Sequence, residues 1–225
     1  MARPTEISAF SPLDETGGVF VATKAGLRCT AIKLQDGGLC LYSPVAGLTD
    51  AAKRSLAAIG RVTHLFAPNH YHNRGLAEYA AAYPKAMLCA SPKATPRLAK
   101  VTGFSFRDLW DLTARLPPEI VLLEPDGLKT GEIWLRSAAG ALIAWFIVDA
   151  IAGPKMSDGE TRFGHPELLR TFPHFGVRDR QAYVEWFAQQ LRRDRPRLVV
   201  PCHGSIVAAD DLPEKLARLQ SEAFG

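Results

Sequence analysis

Between Gly47 and Pro92 the chain alternates helix-like and strand-like segments, and this constrains the fold more than any other stretch. "GLTDAAKRSLAAIG" places Leu56 and Ile59 at helical spacing, offers Thr49 or Asp50 as an N-cap, and closes on Gly60. "RVTHLFAP" follows as an apolar run of strand length. "RGLAEYAAAYP" is an alanine-rich helix stopped ahead of Pro84, and "KAMLCASP" reads as another strand. Strands joined through helices pair in parallel with right-handed crossovers, so this section predicts a parallel sheet edge covered by helices.

The flanking sections are richer in β structure. "GGVFVAT", "LRCTAIKLQ" and "GLCLYSPV" are short β-branched and apolar runs, and Asp36-Gly37-Gly38 is a hairpin signal between the last two. Further on, "EIVLLEP", "GEIWLRS" and "ALIAWFIVD" repeat the pattern. Ala150 to Arg180 shows little periodicity and is long enough to suggest a functional loop. The chain closes with a helix "RDRQAYVEWFAQQLRR", a strand "RLVVPCHG" and a helix "LPEKLARLQSEA". Two β-rich sections, each with helices, predict an α/β (α+β) fold in which two similar halves pack sheet on sheet with helices outside. With 225 residues, 47% hydrophobic and 22% charged, a core of that size is affordable, and a single domain over 1–225 is expected.

Composition removes some function classes. The net charge of +4 is spread along the chain, and the one basic cluster, "LRRDRPR", sits at a helix end where cations favour the macrodipole. Nucleic acid is therefore not an expected partner. The N-terminus has no apolar targeting core, and no apolar run reaches the length of a membrane span. Cys29, Cys40, Cys89 and Cys202 are widely spaced, as free thiols of a reducing compartment are, so a cytoplasmic protein without membrane contact is expected. No phosphate-binding glycine loop and no serine-nucleophile elbow is present.

Chemistry concentrates at strand ends. "THLFAP" runs into Asn69, His70 and His72; "ALIAWFIV" ends at Asp149; "RLVVPC" ends at His203. Ligands collect at carboxyl ends of strands in α/β folds, because side chains there converge on a rigid rim. In an extended segment residues two apart share a side, so His70 and His72 are expected to present their imidazoles together. Imidazoles with a carboxylate suit zinc or another first-row divalent ion, which lowers the pKa of bound water to about 7.

The order of "HYH" after a strand, then "FIVDA", then "PCHG", resembles the metallo-β-lactamase fold superfamily, whose usual first motif is HxHxDH. "VTHLFAPNHYHNRGLAEYAAAYPKAMLCASP" with "VRDRQAYVEWFAQQLRRDRPRLVVPCHG" is similar more narrowly to a DUF4336-like bacterial subgroup of unknown function. The resemblance implies a four-layer αββα sandwich with its site at one edge. By position it implies His70, His72, Asp149 and His203 as metal ligands, with Asp149 also catalytic. Arg74 and Gly75 stand where the motif has its aspartate and third histidine, and no histidine lies between His72 and Asp149.

A guanidinium cannot ligate a cation. One ion at most is expected, with Arg74 and Asn69 as substrate-binding residues, in a hydrolase acting on a small ester, lactone, amide or phosphoester. The alternative is a metal-free protein in which Arg74 pairs with Asp149 and the fold binds a small molecule or partner without catalysis. His64 is expected to be a satisfied core histidine, His165 and His174 structural or exposed, and Trp110, Trp134, Trp145 and Trp186 core.

Overall fold

The computed structural model describes residues 5–13, 15–139, 142–155 and 162–225, and the chain divides into two compact units, Met1–Pro118 and Glu119–Gly225. The first unit contains β1 (Ser11–Pro12), β2 (Val19–Lys24), β3 (Leu27–Lys33), β4 (Gly38–Tyr42), α1 (Asp50–Ile59), β5 (Arg61–Ala67), α2 (Leu76–Ala82), β6 (Met87–Ala90), α3 (Thr95–Thr102) and α4 (Trp110–Arg115). Its six-stranded sheet runs in sequence order; β1 to β4 pair antiparallel and β4, β5 and β6 parallel, as the alternating section predicts.

Local chemistry explains the corners. At the β3–β4 hairpin Gly37 has φ +79°, and Asp36 Oδ1 accepts the Gly38 amide at 2.9 Å. Thr49 Oγ1 caps α1 by accepting from the Ala52 amide at 3.0 Å. Gly60 ends α1 with extended backbone at φ 170°, and a Cβ there would meet the Gly37 carbonyl oxygen at 2.8 Å, so the residue is small because of close approach. Leu41, Leu56, Leu65, Leu76 and Tyr79 are buried in one cluster, which joins α1 and α2 to the sheet by apolar burial.

The second unit contains β7 (Ile120–Leu123), β8 (Trp134–Ser137), β9 (Ala144–Ile147), β10 (Arg162–Phe163), α5 (Phe172–Phe175), α6 (Arg180–Asp194), β11 (Leu198–Pro201), β12 (Ile206–Ala208) and α7 (Leu212–Phe224). Its six strands lie in the order β10-β12-β11-β9-β8-β7, with β9 and β11 parallel. Trp134 of β8 and Trp145 of β9 stack edge-on or tilted with each other and with Trp186 and Phe187 of α6 in the core. The fourth tryptophan corrects the expectation: Trp110 is 78% exposed, because it opens the short helix α4 at the surface.

The stretch Ala150 to Arg180 is not structureless. It holds β10 and α5, with residues 156–161 outside the described part. No helix among the described residues is long and apolar enough to cross a membrane.

Candidate functional site

In the first unit, "NHYHNRG" leaves the carboxyl end of β5. Asn69 is fully buried, and its Oδ1 accepts the amides of Tyr71 at 2.8 Å and His72 at 3.0 Å. His72 N also approaches Asn69 O at 3.3 Å, and Asn73 Nδ2 donates to His70 O at 3.1 Å. Residues 70–75 consequently wind through successive turns. This corrects the extended segment on which a shared side for His70 and His72 was expected: a short polar side chain offers the backbone an alternative to strand pairing. The Asn69 Oδ1 thus shapes the loop.

His72 is oriented from a neighbouring strand. Its Nδ1 lies 2.7 Å from Ser43 Oγ. Ser43 follows β4, is buried, has φ +58°, and donates its amide to Phe66 O at 3.0 Å. When Nδ1 carries the proton and donates to that hydroxyl, Nε2 presents its lone pair outward. The His70 ring packs edge-on against Tyr71, with centroids 4.3 Å apart. Arg74 is exposed at the turn into α2. Gly75 is buried, and a Cβ there would collide with the Pro44 carbonyl oxygen, so the chain leaves no room for any side chain where the motif has a histidine.

In the second unit the parallel register does the assembling. Val200 and Pro201 of β11 pair with Phe146 and Ile147 of β9, so residues two past each strand end emerge side by side. They are Asp149 and His203, and His203 Nε2 lies 3.0 Å from Asp149 Oδ1, with side chains 28% and 14% exposed respectively. Two glycines hold the backbones in place. Gly153 N donates to His203 O at 2.9 Å, Ser205 N donates to Pro154 O at 2.9 Å, and a Cβ on Gly153 or Gly204 would run into the other strand's main chain. Gly204 also has φ +81°.

Beneath this pair lies Glu132, 1% exposed. Its Oε1 accepts Trp134 Nε1 at 2.8 Å, the Asp149 amide at 3.1 Å and the Ala150 amide at 3.3 Å. Burial and the nearby Asp149 charge push its carboxyl up to about 7, against the lowering effect of those three donors.

The structure thus brings Asp149 and His203 together in one unit and places His70, His72, Asn69 and Arg74 on one loop of the other. Sequence reasoning missed Ser43 and Glu132. Ser43 had a signal, since it too is a polar residue at the carboxyl end of a parallel strand. Glu132 had none: a lone glutamate before a strand ordinarily reads as solvated. His64 is 2% exposed between Thr63 Oγ1 at 2.9 Å and Asp111 Oδ2 at 3.2 Å, a satisfied core histidine as expected. His165 and His174 are exposed.

Comparison with known proteins places the fold. DIM-1 metallo-β-lactamase, in a crystal exposed to ceftazidime, matches with a TM-score of 0.65 and 13% identity over 99% of this chain and 100% of its own. FIM-1 metallo-β-lactamase from Pseudomonas aeruginosa, in its mono-zinc form, matches at 0.63 and 14% identity over 99% and 98%. A fragment described as diflavin flavoprotein A 5 from Nostoc sp. PCC 7120 matches at 0.64 and 12% identity over 99% and 97%. No family model and no curated protein sequence matches the chain. The fold is that of the metallo-β-lactamases, an α+β architecture of two mixed sheets with helices.

Proposed function

We propose that this chain is a hydrolase of a small ester, lactone, amide or phosphoester that uses one divalent metal ion, zinc or another first-row metal, in the manner of a DUF4336-like member of the superfamily with a reduced metal motif. By their positions in the sequence, His70, His72, Asp149 and His203 are the proposed ligands. The observation that carries the reading is the Asp149–His203 pair at 3.0 Å, two residues past parallel strands and braced by Gly153 and Gly204.

The donor set fits such an ion. Imidazole nitrogen with carboxylate oxygen is a first-row metal combination, and the Ser43 contact leaves Nε2 of His72 as its ligating atom. Gly75 supports the limit of one ion, since the ligand a second site would need has no space. A bound divalent ion supplies Lewis acidity toward water and toward a carbonyl or phosphoryl oxygen. Asp149 is the proposed proton acceptor, oriented by His203 and partly open to solvent. Arg74, exposed and invariably charged, is proposed to bind an anionic group of the substrate. Asn69 serves by fixing the loop that carries His72 and Arg74.

Zinc affinity, measured by chelator competition, tests the ligand set. Alanine at His72, Asp149 or His203 should each weaken binding by at least about 100-fold, the loss of one direct ligand exceeding the loss of an outer partner. A panel of nitrophenyl esters, lactones and phosphodiesters should then be hydrolysed by the zinc-loaded parent and not by Asp149→Ala. A parent that takes up no zinc would refute the hydrolase and favour the metal-free binding protein.

A further inference from the structure

Glu132 is not among the proposed ligands, and packing does not explain it. Glu132 is 1% exposed, its partners Trp134 and Ala150 belong to a buried apolar cluster, and an acid at such a depth is unfavourable unless its oxygens are hydrogen-bonded. Glu132 meets that requirement in a particular way. One oxygen gathers an indole N–H from the start of β8 and two consecutive main-chain amides just past the end of β9. One of those amides belongs to Asp149, whose side chain engages His203. β9 ends at Ile147, so these amides lie beyond its ladder, and Glu132 supplies their acceptor.

We infer that Glu132 is a positioning residue for the Asp149–His203 pair, and that its acceptor oxygen, by holding the amides of residues 149 and 150, sets the direction in which Asp149 leaves β9. The inference deepens the proposed function and rests on it only where metal binding is concerned. The work requires an oxygen at the reach of a glutamate side chain and does not require a negative charge. Glutamine keeps the reach and the acceptor. Aspartate keeps the acid but is one methylene shorter, so its oxygen withdraws from both amides.

The test compares the parent with E132Q, E132D and E132A, each confirmed as folded by circular dichroism. The first readout uses metal-free protein: nitrogen-15 NMR of the His203 imidazole at about pH 8, above the ordinary histidine range. Parent and E132Q should show His203 protonated at Nε2, the atom facing Asp149, and E132D and E132A should show mixed tautomers. The second readout is zinc affinity, expected to fall about 10- to 100-fold in E132D and E132A and to stay within about threefold in E132Q. Should E132A fail to fold, the contrast between E132Q and E132D decides. Unchanged His203 signals in the folded short-chain variants would overturn the inference, as would an E132Q that behaves like E132D. If no variant and no parent binds zinc while the His203 signals follow the expected order, the metal reading fails and the positioning role stands.

Discussion

At position 75 a methyl group would meet the Pro44 carbonyl oxygen, a backbone atom that cannot rotate away. Gly75→Ala should therefore destabilise the protein by about 1–3 kcal/mol in urea denaturation, and Gly75→His by more, because overpacking against main chain forces the backbone to shift. Restoring the motif's histidine should thus disrupt the loop and not build a second metal site. Ser43 acts differently. Ser43→Ala removes one hydrogen bond and should change stability by only about 1 kcal/mol, yet that bond orients the His72 ring, so zinc affinity should fall about tenfold or more. Placement was legible where a rule joined residue type to place: Asp149 and His203 stand just past strand ends, and apolar runs mark strands. Glu132 was illegible because its role depends on burial by β8 and the turn after β9, and no local pattern encodes that.

Among elements, the Asp194 carboxylate adds a polar tie between α6 and its sheet to their apolar packing. Asp194, with a side chain 1% exposed, accepts from Arg136 Nε and Arg193 Nε on Oδ1 and from Trp145 Nε1 on Oδ2, each at 2.9 Å. Burial alone raises its pKa, but hydrogen bonds from Arg193, Trp145 and Arg136 outweigh it and hold the carboxyl below its usual value. A pKa lowered by folding stabilises above the unfolded value of about 3.9 and loses that contribution as pH falls through the folded value. Asp194→Asn should cost about 2–4 kcal/mol near neutrality, and its stability should decline less than the parent's as pH drops below about 4. Equal declines in the two proteins would show that Asp194 titrates alike in the folded and unfolded chains. Elements marked by helical spacing, such as α1, or by an apolar run of strand length, such as β5, were readable from sequence. The turns over 70–75 were not, because the Asn69 side chain redirects a segment whose position beyond a strand suggested extended backbone. The short β10 and α5 inside the supposed loop carry too few residues for any period to show.

Over the whole molecule, 12–14% identity to matched structures over almost their full lengths shows how loosely residue identity is tied to this fold. In this chain the strand order could be read from the alternating section and the two β-rich sections. Function is tied to fold more loosely still, since matched chains include two metallo-β-lactamases and one described as a diflavin flavoprotein. Under the proposal, the ligand set is one in which position 75 has no space for the motif's third histidine; in the first unit His72 is backed by Ser43, and in the second Asp149 and His203 pair just past β9 and β11. The proposed number of ions follows from that set. Mass spectrometry under native conditions, on protein freed of any affinity tag, loaded with zinc and desalted, counts the ions directly. One zinc per chain in the parent and none in Asp149→Ala is the expected result; two per chain, or none in the parent, would contradict it.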